Sequence, residues 1–108
     1  MNIDQYQEFT KTTAVYPKEQ ALSYVTLGLA GEAGEVANKV KKIIRDNNGV
    51  ITDQTRKDIA SELGDVYWYL ARLADELNIK SSEVIISNTT KLTARLVNNT
   101  IKGSGDNR

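Results

Sequence analysis

Two short acidic pairs are the residues best suited to chemistry in this sequence. Glu32 and Glu35 are three residues apart, and Glu62 and Asp65 repeat that spacing after 26 intervening residues. On a helix this spacing places both carboxylates of a pair on one side, where they repel by roughly 0.2–0.5 kcal/mol. Carboxylates beside a core also need a partner. A divalent cation is the simplest partner for four clustered carboxylates, so the pattern predicts a metal site.

Composition limits the chemistry of such a site. The chain contains no His and no Cys, which excludes the usual zinc ligands, thiol or imidazole catalysis and disulfides. Oxygen ligands favour Mg²⁺, Mn²⁺ or Ca²⁺. Since 14 basic residues balance 14 acidic ones, we expect no nucleic-acid partner. The sequence has neither a signal-peptide pattern nor an apolar run of membrane-spanning length, so we expect a cytoplasmic protein without membrane contact.

The sequence contains few helix-breaking residues and only one proline among 108 residues. Its length and this composition predict a single all-α domain, an antiparallel bundle of about four helices. Thr52 or Asp53 is predicted to cap the third helix, and Ser81 or Ser82 the fourth. Apolar residues at helical spacing predict helices over about residues 4–14, 19–45, 53–77 and 82–98.

The acidic pairs lie at matching positions on the second and third predicted helices. At 100° per residue, Glu35 and Lys39 lie at the edge of one apolar stripe, and Asp65 lies at the same edge of the other. Helices packed through these stripes bring both acidic edges towards one groove. Glycines near the acids indicate close approach by a backbone or a ligand, or tight helix–helix contact. These glycines are Gly28, Gly31, Gly34 and Gly64.

The fourth predicted helix carries a cationic group, with Asn88, Lys91 and Arg95 within roughly 60° of one another. These residues form either a solvated face or, beside a metal groove, a set of ligands for substrate phosphates. Trp68 lies between two tyrosines, away from the main stripe. We expect it to pack against another helix or subunit rather than against a base.

Together these motifs resemble the signature of the MazG-like nucleotide pyrophosphohydrolases, in the all-α NTP pyrophosphatase superfamily. The segments 27–36 and 62–69 are similar to the two core segments of that family, and Asn88-x-x-Lys91-Leu92-x-x-Arg95 matches its third element. The likeness covers about residues 3–97. It implies a MazG-like domain over residues 1–98, followed by a tail, residues 99–108, that is predicted to be flexible from its composition.

The resemblance implies Mg²⁺-dependent hydrolysis, with Mn²⁺ as the alternative ion, of an NTP or dNTP to the monophosphate and pyrophosphate. Glu35 would also orient or deprotonate the attacking water. Gln7 or Phe9 would approach the base. Assembly into a homodimer or homotetramer is implied as well. The implied metal ligands are Glu32, Glu35, Glu62 and Asp65. The implied substrate ligands are Lys39, Asn88, Lys91 and Arg95.

Two other functions fit parts of the pattern. A non-catalytic helical module for dimerisation or regulation could retain the acids for Ca²⁺ or for solubility. A different metal-dependent phosphohydrolase is disfavoured because most histidine–aspartate types need imidazole ligands. The sequence leaves the nucleotide open among canonical, deoxy and damaged nucleotides and a guanosine alarmone.

Overall fold

The computed structural model describes all residues from Met1 to Arg108 and contains four α-helices and no strand, which confirms the all-α prediction. Two 3₁₀ turns, Lys11–Thr13 and Lys18–Gln20, lie between the first and second helices. The first helix is therefore shorter than predicted, and the second begins two residues later. The helices are α1 (Ile3–Thr10), α2 (Ala21–Asn47), α3 (Asp53–Glu76) and α4 (Ser81–Val97).

Helices α2 and α3 form an antiparallel hairpin. Asn48 and Gly49 end α2 in a turn, with φ of 52° and 76°. Thr52 then caps α3, as predicted: its hydroxyl accepts a hydrogen bond from the backbone N–H of Thr55 at 3.2 Å. Because this connection is short, the apolar stripes of the two helices face each other.

The predicted serine caps of α4 are wrong, because Lys80 is the N-cap residue. The two serines bind α1 instead: the N–H of Ser81 donates to Gln7 Oε1 at 2.7 Å, and that of Ser82 to Asp4 Oδ1 at 2.9 Å. The hydroxyls of both serines donate to the same two side chains of α1, so neither hydroxyl caps the helix. These bonds attach the first turn of α4 to α1.

A buried arginine holds the α1–α2 connection against α3. Arg72 Nε donates to the Tyr16 hydroxyl at 3.1 Å, and Arg72 Nη1 is 3.1 Å from Asp75 Oδ2. The Tyr16 hydroxyl donates to Glu76 Oε1 at 2.7 Å. Arg72 is 4 % exposed, so its charge needs these acidic partners. The network places the segment between α1 and α2 beside the C-terminal end of α3.

The interior of the single chain is small. Ten residues are buried, five apolar and five polar or charged. The radius of gyration is 16.9 Å, whereas a compact chain of this length has about 13 Å. No helix has the length and apolar character needed to cross a membrane. The exposed apolar residues of α4 are Val84, Ile85, Ile86, Leu92, Leu96 and Val97.

Candidate metal centre

The α2–α3 hairpin brings three of the four predicted acids together. Glu32 from α2 meets Glu62 and Asp65 from α3, and carboxylate oxygens of the three residues all lie within 4.8 Å of one another. Glu32 and Glu62 are partly buried, and Asp65 is exposed. Glu35 is exposed and lies outside this group, although it is on the same helix as Glu32. We call Glu32, Glu62 and Asp65 the acidic cluster.

The electrostatics of the acidic cluster favour a bound cation. Burial raises the pKa of Glu32, and the negative charge of Asp65 and a hydrogen bond with Glu62 raise it further. Lys39 offers partial compensation, with Nζ 3.6 Å from Glu62 Oε1. Three carboxylates and one ammonium group leave a negative excess when the acids are ionised. Oxygen-only ligands at this spacing suit Mg²⁺ or Mn²⁺, so the residues present fit the implied metal.

One glycine sets how closely the two helices approach. A Cβ atom on Gly28 would lie 2.1 Å from Cε1 of Tyr69, so the tyrosine ring rests directly against the backbone of α2. This confirms the expected close approach at Gly28. At Gly31, Gly34 and Gly64 an added Cβ would meet nothing within 4 Å in the single chain. Gly28 is one turn before Glu32, and Tyr69 is one turn after Asp65, so the contact lies next to the acidic cluster.

An aromatic cavity of about 280 Å³ opens beside the acidic cluster. Trp68 Nε1 donates to Thr13 Oγ1 at 2.8 Å. The indole meets the rings of Tyr69 and Tyr16 edge to face, with centroids 4.9 and 6.4 Å apart. Trp68 therefore packs on the α1–α2 connection and on Tyr69 of its own helix, whereas the sequence predicted packing against another helix or subunit. It also faces the cavity, whose lining residues are Thr13, Glu32, Asp65, Trp68 and Tyr69.

The sequence did not predict this cavity, although it contains a signal. Trp68 and Tyr69 follow Asp65 by three and four residues, which places them on the same side of α3 as that acid. The contribution of Thr13 depends on the path of the α1–α2 connection, which has no periodic pattern to predict it.

The predicted phosphate ligands on α4 form a separate group. Asp106 Oδ1 lies 3.1 Å from Lys91 Nζ and 3.0 Å from Arg95 Nη2. The side chain of Arg95 is 6 % exposed, while that of Asp106 is 79 % exposed. Asn88 is exposed and lines a surface cavity together with Lys91. None of the polar contacts of these α4 residues reaches the acidic cluster within one chain.

The residues after α4 fold back as a series of turns. The guanidinium of Arg108 donates to the carbonyls of Thr100 at 3.0 Å and Ile101 at 3.3 Å. This arrangement carries Asp106 to Lys91 and Arg95.

Gln7 and Phe9, the first-helix residues expected to approach a base, lie in different surroundings. Gln7 is buried, and its amide nitrogen donates to the carbonyl of Ile79 at 3.0 Å while its oxygen accepts from Ser81. Its side chain is therefore committed to joining α1 to α4. Phe9 is 51 % exposed and does not line the aromatic cavity.

Comparison with known proteins agrees with the sequence motifs. The family model of the MazG nucleotide pyrophosphohydrolase domain matches residues 20–98, which contain α2, α3, α4 and all the predicted metal and phosphate ligands. The Gene 37 protein of Mycobacterium phage L5 is 52% identical over 114 aligned residues, and the alignment covers the whole of both chains. No solved structure matches the chain.

Proposed function

Because this chain belongs to the MazG nucleotide pyrophosphohydrolase family, we propose that it hydrolyses a nucleoside or deoxynucleoside triphosphate to the monophosphate and pyrophosphate. The observation that supports this most directly is the acidic cluster, where three carboxylates from two helices have oxygens within 4.8 Å of one another. Because carboxylates that hold a cation are committed to it and a metal ion makes a nearby water more acidic, we propose that water is the attacking group. The water oxygen becomes part of the monophosphate, and pyrophosphate leaves.

We propose Mg²⁺, with Mn²⁺ as an alternative, as the ion held by Glu32, Glu62 and Asp65, with Glu35 as the fourth ligand. When bound, a divalent ion supplies positive charge to phosphate oxygens and makes a nearby water more acidic. The protein supplies the negative charge that retains the ion. Burial and neighbouring carboxylates raise the pKa of Glu32, so binding of a cation relieves an unfavourable arrangement.

Glu35 is also the proposed general base. It is exposed and belongs to no ion pair, so a carboxylate oxygen that does not hold the ion is available to orient water and accept a proton. It lies one turn along α2 from Glu32, next to the place where the phosphates would lie. Lys39 is the proposed phosphate ligand nearest the acidic cluster, because its ammonium group already lies 3.6 Å from Glu62.

Asn88, Lys91 and Arg95 remain proposed substrate ligands, and we propose that they reach the acidic cluster from a second copy of the chain. Within one chain their contacts lie elsewhere. The apolar side chains of α4 are largely exposed, and the chain is less compact than expected for its length. Both features favour a homodimer or homotetramer in which α4 is covered.

Complementation between two inactive variants tests this arrangement. Glu62→Gln removes a metal ligand, and Lys91→Ala removes a phosphate ligand. Each variant alone should be nearly inactive. A mixture refolded together should recover roughly a quarter of wild-type activity, because half of the dimers are mixed and each carries one intact site. If Lys91 acts within its own chain, the mixture stays inactive and the shared site is refuted.

The hydrolysis itself is tested with a panel of nucleotides, measuring pyrophosphate release with Mg²⁺ and with EDTA. We expect release from at least one nucleotide, loss of release with EDTA, and loss in Glu35→Gln with unchanged helicity. Absence of release from the whole panel would favour a non-catalytic helical module instead. Near-wild-type turnover by Glu35→Gln at saturating Mg²⁺ would remove Glu35 from the mechanism.

A further inference from the structure

We propose that the tail, residues 99–108, is an autoinhibitory strap. The Asp106 carboxylate occupies the place of a substrate phosphate on Lys91 and Arg95, and a substrate has to displace it. The inference rests on the proposed function, because it takes these two cations as phosphate ligands. It assigns a role to a segment that lies outside the residues matched by the family model.

The contact between the tail and α4 has the chemistry of a bound phosphate. Asp106 Oδ1 lies 3.1 Å from Lys91 Nζ and 3.0 Å from Arg95 Nη2, so one anionic oxygen bridges two cationic groups. The carbonyl of Gly105 accepts a further hydrogen bond from Arg95 Nη2 at 3.4 Å. Hydrogen bonds from Lys91 and Arg95 lower the pKa of Asp106, so its carboxylate is an anion at neutral pH. A phosphate oxygen binds ammonium and guanidinium groups in the same way, and the two anions therefore compete.

The tail follows a defined path that carries Asp106 to α4. The guanidinium of Arg108 donates to the carbonyl of Thr100 at 3.0 Å and to that of Gly105, which closes the turns between them. Gly105 has a φ of 76°, a left-handed conformation that favours glycine. A Cβ atom on Gly103 would lie 2.6 Å from Cδ of Arg108. Two glycines and one arginine thus shape the segment that presents the carboxylate.

The contact is weak enough for a substrate to displace it. The Asp106 side chain is 79 % exposed, and every residue from Ile101 to Arg108 is exposed, so no buried apolar side chain holds the tail. Ion pairs at such exposed positions contribute little, because water screens them. Arg95 Nε is buried and has no hydrogen-bond partner. A phosphate group offers three acceptor oxygens, so it can satisfy more of the Arg95 donors than the tail does.

Binding of inorganic tripolyphosphate tests the strap without depending on turnover. We would measure its Kd by titration calorimetry in the presence of Mg²⁺, at a constant low ionic strength because salt screens exposed charges. We expect Asp106→Asn to bind roughly two- to fivefold more tightly than wild type, the fold-change that corresponds to the loss of an exposed ion pair. The gain should shrink in a Lys91→Ala background, because one of the two blocked cations is then absent.

Two further variants separate the strap from a general effect of charge. Arg108→Ala keeps the Asp106 carboxylate but loosens the turns that place it, so it should also bind tripolyphosphate more tightly. Asp53→Asn is the matched control, since Asp53 is another exposed acid in an ion pair, with Arg56 on α3, and its Kd should equal that of wild type. An equal gain in Asp53→Asn would attribute the effect to net charge and overturn the strap.

The opposite role of the carboxylate gives the opposite result. If Asp106 holds the two cations in place for the substrate, Asp106→Asn binds tripolyphosphate more weakly than wild type, and the proposal is overturned. Equal binding by the two proteins overturns it as well.

Failure of the strap is distinguishable from failure of the hydrolysis. Tighter binding by Asp106→Asn, together with no pyrophosphate release from any nucleotide, would support the strap and overturn the proposed reaction. Pyrophosphate release with equal tripolyphosphate binding by wild type and Asp106→Asn would support the reaction and overturn the strap.

Discussion

Substitution of Gly28 by alanine tests how the two main helices set the geometry of the site. The added methyl carbon would lie 2.1, 2.4 and 2.6 Å from three ring atoms of Tyr69, where carbon atoms prefer about 3.5–4.0 Å. Overpacking of this kind costs about 1–3 kcal/mol. Alanine regains about 0.8–1 kcal/mol through its higher helix propensity. The expected net loss of stability is about 1 kcal/mol, or a fall in Tm of about 4–8 °C.

The loss of function should be larger than the loss of stability. The Tyr69 ring can escape the new methyl group by moving into the cavity of about 280 Å³ that it lines with Glu32 and Asp65. If the helices separate instead, the carboxylates of α2 and α3 move apart. Either response disturbs the acidic cluster, so Gly28→Ala should also weaken the stabilisation by Mg²⁺ and reduce pyrophosphate release.

The assay is thermal unfolding with and without Mg²⁺, followed by pyrophosphate release. Gly34→Ala is the matched control, because its added methyl meets nothing within 4 Å, and it should raise stability by about 0.5–1 kcal/mol. Tyr69→Leu combined with Gly28→Ala measures the coupling between the two positions. If Gly28→Ala is as stable as Gly34→Ala and responds equally to Mg²⁺, the close-packing argument is wrong.

Three further predictions concern charge. Mg²⁺ should raise the Tm of the wild-type protein, because an ion that binds the folded state stabilises it, and a flat Tm up to tens of millimolar would refute the metal site. The pKa of Glu32 lies above its ordinary value of 4.5 in the folded protein, so the folded state binds the proton of Glu32 more tightly than the unfolded state does. The stabilisation that this gives is complete below pH 4.5 and is lost as the pH rises through the raised pKa. The metal-free Tm should therefore fall more steeply with pH in wild type than in Glu32→Gln, and parallel curves would contradict this. Lys91→Ala should lower kcat/KM by roughly ten- to a hundredfold, the effect of losing a charge-assisted bond of about 1.5–3 kcal/mol. Asp106→Asn should lower KM, because we expect the Asp106 carboxylate to compete with substrate phosphate for Lys91 and Arg95. A higher KM in Asp106→Asn would show that the carboxylate assists binding.

The sequence predicted the α2–α3 hairpin well because both helices are long and their apolar residues recur at a regular spacing. The same spacing placed Glu32, Glu62 and Asp65 on facing edges, and the structure brings them together. The sequence could not separate Glu35 from these three acids, because residues three apart lie on the same side of a helix. Whether Glu32 or Glu35 meets the acids of α3 depends on the axial register between the two helices. A single sequence does not specify that register.

The placement of α4 was less predictable, because it depends on tertiary contacts rather than on periodicity. The hydroxyls of Ser81 and Ser82 have the chemistry of helix caps, yet α1 offers them better partners. The cationic pair on α4 was recognisable from its spacing. Its contact with Asp106 was not, since that contact depends on how the chain turns after Val97.

The balance of buried residues has a consequence for how this protein responds to temperature and denaturant. Half of the residues buried within one chain are polar or charged, and exposure of apolar surface is what gives unfolding its large heat capacity change and its denaturant sensitivity. A chain that unfolds alone should therefore show a shallow denaturant transition and a flat curve of stability against temperature. Covering the apolar side chains of α4 with a second copy would steepen both. The curvature of the stability profile thus reports how many chains make up the folded unit.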